Sequence, residues 1–265
     1  MKLKLIVLIV LVITVKVTAQ DGAEKKYYGT ISTDRPDQTE ASNLVPMGFL
    51  QVETGAFYET LDVNSLKSKA ITFNTTLLRY GLLNNLELRL GFDFTEITHE
   101  FNGTELNGKL SGFSPLLLGV KIGVTEENGW LPEIAFIGHI NVPAFASNDF
   151  KTKSTSTDFR FSLAHTLSEK SSLGYNIGMV WDGNITTANY IYTLAYGHSI
   201  SDKIGAYFEL YGDLPEGSSF NHLWNAGLTY LISNNIQLDI SGGTGITQNV
   251  QDLFLSTGIS FRIPE

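Results

Sequence analysis

The sequence predicts an all-β protein, a transmembrane up-and-down antiparallel β-barrel of about twelve strands, and three observations support this prediction. Apolar and polar residues alternate along about a dozen segments. The links between these segments are alternately short and long, and the charges within them fall mostly on the face opposite the apolar one. The segments are long enough for a tilted strand crossing a bilayer, about 9–11 residues, whereas strands in soluble sheets average about five or six.

The last segment, Asp252–Ile263, shows the alternation most clearly. An extended strand here would have one apolar face, made by Leu253, Leu255, Thr257, Ile259, Phe261 and Ile263. The other face would carry Phe254, Ser256, Gly258, Ser260 and Arg262. We expect this strand to close the barrel against residues 48–60 and to bring Arg262 near Asp34 and Asp37.

Residues 1–19 have the pattern of a secretory signal peptide. Lys2 and Lys4 precede an apolar run from Leu5 to Val15, which is too short to span a bilayer as a helix, and Ala19 is a suitable cleavage residue. Removal of these residues takes away three lysines and no acids, which changes the net charge from −9 to −12. So acidic a chain is not expected to bind nucleic acid.

Composition excludes several kinds of site. The chain has no cysteine, which rules out disulfides and cysteine-based metal or redox centres. After residue 19 no stretch of 18 consecutive apolar residues occurs, so no transmembrane helix is expected.

Residues 20–47 are polar and lack periodicity. They contain the motif Asp34, Arg35, Pro36 and Asp37, and Pro46 follows. Two interpretations stay open: a periplasmic lead-in at the barrel mouth, with Arg35 paired to nearby acids, or a plug folded into the lumen. The first is favoured.

The barrel is expected to occupy residues 48–265. Its predicted strands are residues 48–60, 69–82, 85–98, 113–125, 131–142, 157–168, 172–182, 189–200, 203–213, 221–232, 235–246 and 252–263. The short links between them, at residues 83–85, 126–129, 168–171, 201–203 and 233–235, all fall at one end of such a barrel, as in outer-membrane barrels with short periplasmic turns.

Charged residues on the polar strand faces are the candidates for the lumen, because Arg or Lys facing lipid at mid-bilayer costs about 2–4 kcal/mol. These candidates are Glu53, Glu87, Arg89, Asp93, Lys121, Arg160, Glu209, Asp239 and Arg262. They would either line a transport path or form a salt-bridge network that closes the lumen, and the sequence favours neither.

Catalytic and metal sites are not expected. His198 and Ser199 point to opposite faces of a strand, and His139 and Asn141 share a face without a nearby serine. The acidic groups lack the ligand count and glycine of a calcium loop. The sequence therefore predicts no enzyme activity and no cofactor.

The segment Thr33–Gly55, with its DRPD motif and with Gln51, Glu53 and Gly55 at its end, resembles the outer-membrane barrel family labelled "putative MetA-pathway of phenol degradation". The resemblance implies an outer-membrane location, a transport role and no established catalytic residues. Gly258, Phe261 and Ile263 are similar to the C-terminal signal by which such barrels are assembled, although Pro264 and Glu265 follow.

We therefore expect an outer-membrane channel or transporter for small solutes, with hydrophobic or aromatic compounds among the candidates. Its expected partners are outer-membrane lipid and the barrel assembly machinery, besides the solute. The alternative is a structural or partner-binding barrel with a closed lumen, whose outer loops 99–112 and 143–156 bind the partner.

Overall fold

A computed structural model describes residues 29–106, 108–184, 187–247 and 250–264, so the expected signal peptide lies outside the described residues. Within these ranges sixteen strands form one sheet, and two short 3-10 turns (Pro143–Phe145 and Asn148–Phe150) follow β9. The strands are β1 (Leu50–Val63), β2 (Leu66–Thr72), β3 (Thr76–Leu83), β4 (Leu86–Phe92), β5 (Phe94–Phe101), β6 (Thr104–Glu105), β7 (Leu110–Phe113), β8 (Leu116–Thr125), β9 (Glu133–Val142), β10 (Ser156–Ser168), β11 (Ser171–Trp181), β12 (Ala188–Ser199), β13 (Ile204–Pro215), β14 (Asn221–Ser233), β15 (Ile236–Gly245) and β16 (Leu253–Ile263).

The sheet closes on itself as an antiparallel barrel. The last strand, β16, pairs with β1 from Leu50–Ile263 to Thr60–Leu253, which confirms the predicted closing strand. Three wall strands are each made of two pieces, β2 with β3, β4 with β5, and β7 with β8, while β6 is a two-residue strand in a hairpin. The wall therefore has twelve strands, as the sequence predicts.

The two ends of the barrel differ. We call one the turn end; it holds residues 84–85, 126–132, 169–170, 200–203 and 234–235. The other, the loop end, holds the longer links, of which residues 102–106, 108–109, 143–155, 182–184, 187, 216–220, 246–247 and 250–252 are described. The expected long link at 61–68 is instead a two-residue turn at Asn64 and Ser65, whose φ angles of 53° and 65° suit a tight hairpin.

Apolar side chains cover the outer surface of the barrel and charged side chains lie in its interior, the reverse of a soluble protein. Ile177, Ile240 and Leu255 are 56%, 58% and 53% exposed on the outer face. Arg79 and Lys121 are 0% exposed in the lumen. This confirms the assignment of the apolar strand faces to the outside, which is the arrangement of a barrel surrounded by lipid.

No helix among the described residues is long and apolar enough to cross a membrane.

Three neighbouring wall strands, predicted as continuous at residues 69–82, 85–98 and 113–125, are interrupted at the same level. From the pair Thr72–Thr95 to the pair Thr76–Phe92, the chain advances by four residues on one strand and by three on the other. One strand therefore carries an extra residue, as in a β-bulge. Backbone hydrogen bonds from Phe73 N to Phe94 O (2.9 Å) and from Ser114 N to Asp93 O (3.2 Å) keep the wall joined. Pro115 lies in the third interruption, where its lack of an N–H suits an unpaired position.

The exposed apolar face gives a test of which surface meets lipid. Substitution of Ile240, in the middle part of β15, by Arg should lower the free energy of unfolding in a bilayer by about 2–4 kcal/mol. The same substitution at Ile204, at the turn-end start of β13, should cost about 0–1 kcal/mol because the charge there reaches the interface. Urea unfolding from liposomes measures both, and equal costs would contradict the assignment.

Candidate functional site: a plugged lumen

Residues 31–49, which we call the plug, run inside the barrel. The plug enters at the turn end, where Ile31 N donates to Asn234 O (2.8 Å). It rises about halfway, where the hydroxyls of Thr39 and Thr193 lie 2.7 Å apart, and it returns to pair Met47 with Gly81 near the turn end. The sequence favoured a lead-in at the barrel mouth, whereas the described part of this segment runs inside the lower half of the lumen.

Asp34 is the most heavily paired residue of the plug. Its carboxylate lies 2.9 Å from Arg89 Nη2, 3.1 Å from Lys121 Nζ and 3.3 Å from Arg79 Nη1. Burial by itself would raise the pKa of Asp34, but the charges of Arg79, Lys121 and Arg89 hold this pKa well below its usual value. One plug carboxylate thus contacts cations from three wall strands.

Arg79 connects the plug to two wall acids. Its guanidinium lies 2.8 Å from Glu53 Oε1 and 2.8 Å from Glu87 Oε1. Its Nη2 also donates to the carbonyl of Asn43 at 3.1 Å. Sequence reasoning missed Arg79, although its place opposite Leu78 and Tyr80 in an alternating segment was a sufficient signal for an inward side chain.

Arg35 holds the plug to the wall around the closing seam between β1 and β16. Its guanidinium makes two bonds to the Asp239 carboxylate, at 2.9 and 3.2 Å, and not to neighbouring acids in sequence as expected. The guanidinium occupies a niche left by two glycines. A Cβ on Gly55 would lie 2.7 Å from Arg35 Nη2, and one on Gly258 would overlap Arg35 Nε.

The top of the plug is formed by residues 37–39, which we call the apex. These residues and the adjoining Glu40 are held by hydrogen bonds to β10–β13, and the Glu40 carboxylate is also ion-paired with Arg89 and Arg160. Gln38 N donates to Glu209 (2.9 Å), and Thr39 Oγ1 lies 2.6 Å from Glu209 Oε1. Glu40 N donates to Asn176 Oδ1 at 2.8 Å, and Ser162 donates to the Glu40 carbonyl. These bonds hold the top of the plug inside the lumen at mid-height.

Most of the predicted lumen residues contact the plug. Those buried against it are Glu53, Glu87, Arg89, Lys121, Glu209 and Asp239. Arg160 pairs with Glu40 of the plug at 3.3 Å. Asp93 lies in the wall interruption, and its Oδ1 is buried without a hydrogen-bond partner among the described residues.

The turn-end residues lie as follows. Arg262 faces the lumen and donates to Asn235 Oδ1 and to the carbonyl of Gly29, both at 2.7 Å, while Asp34 is paired elsewhere. Pro36 is buried within the plug. In the assembly motif, Gly258 faces inward, whereas the alternation of β16 turns Phe261 and Ile263 outward.

Cavities lie on both sides of the apex. The upper cavity, about 700 Å³, opens toward the loop end and is bordered by Arg89, His139 and Thr152. Two lower cavities, about 410 and 310 Å³, lie toward the turn end and are both bordered by Tyr207. Asp37 borders all three, so the apex is the partition between the two ends of the lumen.

Among the described residues, no group of three or more His, Asp or Glu side chains could hold a metal ion.

The buried ion pairs predict a large cost for removing one partner. Arg79→Met leaves Glu53 and Glu87 buried without their main cation and should lower the free energy of unfolding by about 3–5 kcal/mol. Lys69→Met breaks a pair with Glu100 on the exposed surface and should leave stability unchanged. Urea titration of both variants measures the difference, and a neutral Arg79→Met would show that the network does not hold the plug.

Protonation of Asp37 should stabilise the closed arrangement of the apex. Burial within the lumen and the nearby Glu209 carboxylate raise the pKa of Asp37 well above its usual value, so closure favours the neutral acid. The stabilisation is therefore lost as pH rises through this raised pKa, because Asp37 then ionises beside Glu209.

A single cysteine at Thr39 reports this opening. Its labelling by a water-soluble thiol reagent, divided by the labelling of a cysteine at exposed Asp202, should increase with pH. The Asp37→Asn variant should show a flat ratio. A ratio that rises equally in both proteins would exclude Asp37 as the titrating group.

Comparison with known proteins places this geometry in a family. A sequence profile described as "Putative MetA-pathway of phenol degradation" matches residues 33–263. A search of curated protein sequences gave no match.

Several solved structures share the fold. An outer membrane channel from Pseudomonas putida F1 is 14% identical, with a TM-score of 0.65 over 84% of this chain and 98% of that one. The translocator domain of the autotransporter NalP from Neisseria meningitidis is 12% identical, with a TM-score of 0.51 over 83% and 90%. The NanC porin is 10% identical, with a TM-score of 0.50 over 81% and 100%. The fold is thus that of outer-membrane barrels, and since the profile spans the plug and the whole wall, the protein belongs to the family described as "Putative MetA-pathway of phenol degradation".

Proposed function

We propose that the protein is an outer-membrane channel for small solutes, with the turn end in the periplasm and the apex of the plug as its gate. The observation that supports this most directly is the position of the apex between two sets of cavities. The apolar outer surface and the fold shared with an outer membrane channel support the location.

The plug is attached in two different ways, which supports a local gate. On either side of the apex, ion pairs hold Asp34, Arg35 and Glu40 to wall residues. Apex residues 38 and 39 are held by hydrogen bonds to Glu209 and Thr193. Hydrogen bonds exchange with water at a small net cost, whereas a separated buried ion pair leaves an uncompensated charge, so the apex is the part that opens first.

The upper cavity supports small solutes as the cargo. Its volume lies within the range of small-molecule sites, about 300–1,000 Å³. Leu77, Leu117 and Val180 lie among mostly polar lining residues. The loop at residues 143–155 is bonded to the wall, with Ser147 N donating to Phe113 O (2.9 Å), and it contributes Thr152 to the cavity. This loop therefore belongs to the vestibule of the proposed channel.

Two disulfide locks test the gate, and the absence of native cysteines leaves no competing thiols. Thr39→Cys with Thr193→Cys would tie the apex to β12, since the two hydroxyls are 2.7 Å apart. Thr33→Cys with Gln237→Cys would tie the lower plug to β15, where the side chains are hydrogen-bonded at 2.8 Å. The second pair is the matched control.

We expect the apex lock to abolish single-channel current and liposome swelling when oxidised and to restore both after reduction. The control should conduct in either state, because only the apex moves. Loss of conduction in the oxidised control would show that the whole plug leaves the lumen. A protein that conducts in no state would instead be the closed structural or partner-binding barrel.

A further inference from the structure

The upper cavity is bordered by buried polar atoms that lack partners among the described residues. These atoms are Arg89 Nε, Asp93 Oδ1, His139 Nε2 and Arg160 Nε. The side chains of His139 and Arg89 are only 3% and 2% exposed. Because buried polar groups in proteins are normally hydrogen-bonded, such a concentration beside one cavity indicates a site for a polar ligand.

Shared acids bring three of these side chains together. Arg89 and Arg160 both pair with the Glu40 carboxylate, at 2.8 and 3.3 Å. Arg160 and His139 both contact Asp158 Oδ1, at 3.3 and 3.0 Å. The three unpartnered nitrogens therefore belong to one cluster of cavity-lining side chains on the wall formed by β4, β8, β9 and β10.

Gly119 makes room for the imidazole of this cluster. In the strand register, Gly119 stands between Arg89 on β4 and His139 on β9. The ring of His139 covers Gly119, and a Cβ there would overlap ring atom Cδ2. His139 Nδ1 contacts the Asp158 carboxylate, which accepts hydrogen bonds only, so Nδ1 carries a proton, and in the tautomer with a single ring proton Nε2 is an acceptor.

The cluster thus offers both kinds of hydrogen-bonding group but no excess positive charge. The two arginine Nε–H groups are donors, whereas His139 Nε2 and Asp93 Oδ1 are acceptors. The ion-pair network around them contains the cations Arg79, Arg89, Lys121 and Arg160. Its carboxylates are Asp34, Glu40, Glu53, Glu87 and Asp158. An anionic ligand would add negative charge to a network that already has more acids than cations.

We propose that the upper cavity binds an uncharged, hydroxyl-bearing solute through this cluster, an assignment that rests on the proposed channel function and names its substrate class. A hydroxyl both donates and accepts, so one group of the ligand donates to His139 Nε2 and accepts from the Nε–H of Arg89 or Arg160. A second hydroxyl donates to Asp93 Oδ1. His139 is then the residue that distinguishes a hydroxyl from an ether oxygen, which cannot donate.

Binding to the full chain in lipid nanodiscs tests this, with saturation-transfer NMR as the readout. The probes are xylitol, the carboxylate xylonate and triethylene glycol dimethyl ether, an uncharged polyether without hydroxyls. We expect xylitol to bind and the other two to bind at least about tenfold more weakly, the ratio that the loss of one hydrogen bond produces.

Three variants locate the site. His139→Phe keeps the ring over Gly119 without its nitrogens, and Gly119→Ala displaces an intact imidazole; both should weaken xylitol binding about tenfold. Asn141→Ala, on the same strand and bordering the same cavity, is the matched control and should bind xylitol normally. Only variants that unfold in the same transition as the wild type are compared. His139→Phe and Gly119→Ala then test the same imidazole ring by two independent changes.

The site is refuted if xylonate or the polyether binds as tightly as xylitol, or if both folded ring variants bind xylitol normally. Two further outcomes distinguish failure of the proposed channel function from failure of the proposed binding site. Xylitol binding that depends on His139, without flux through the reduced apex-lock protein, would uphold the site and refute the channel. Xylitol flux without such binding would uphold the channel and refute the site.

Discussion

The buried contact of the Asp34 carboxylate with Arg79, Arg89 and Lys121 is the interaction on which the lumen depends. Lipid outside the barrel requires an apolar outer face, so the alternation of each strand turns its charged residues inward. There they are removed from water, and a buried cation without a partner is strongly destabilising. The plug supplies the missing carboxylates, and in this sense it is the polar core of the protein.

The two modes of attachment divide the plug into parts of different local stability. The lower part joins strands on both sides of the closing seam between β1 and β16, since Asp34 contacts cations on β3, β4 and β8 while Arg35 reaches Asp239 on β15. The apex contacts β12 and β13 through hydrogen bonds at mid-height, next to the ion-paired Glu40. Segments held in this way open at lower free energy than the unit that anchors them. A gate built on such a segment can open without exposing the buried charges below it.

Strand alternation predicted the wall well because it is a local property. Leu253 to Ile263 specify an outer and an inner face with no help from the rest of the chain, and the same holds for most wall strands. The positions of Arg79 and His139 in the strand alternation also assign their side chains to the lumen, but the alternation does not identify the residues they contact. Arg35 and Asp239, which are far apart in sequence, meet only because the barrel closes around the plug. The irregular sequence of residues 31–49 gives no sign of which surface they cover, and the interruption at Asp93 depends on the registers of neighbouring strands.

The glycine niche of Arg35 has a consequence for the order of assembly. Gly55 lies on the first strand and Gly258 on the last, and the two are paired across the seam where the barrel closes. The niche therefore does not exist until the final strand has docked, and afterwards the wall encloses the guanidinium on its lumen side. Arg35 therefore cannot take its place before the last strand has docked, so the final step of plug folding depends on completion of the wall.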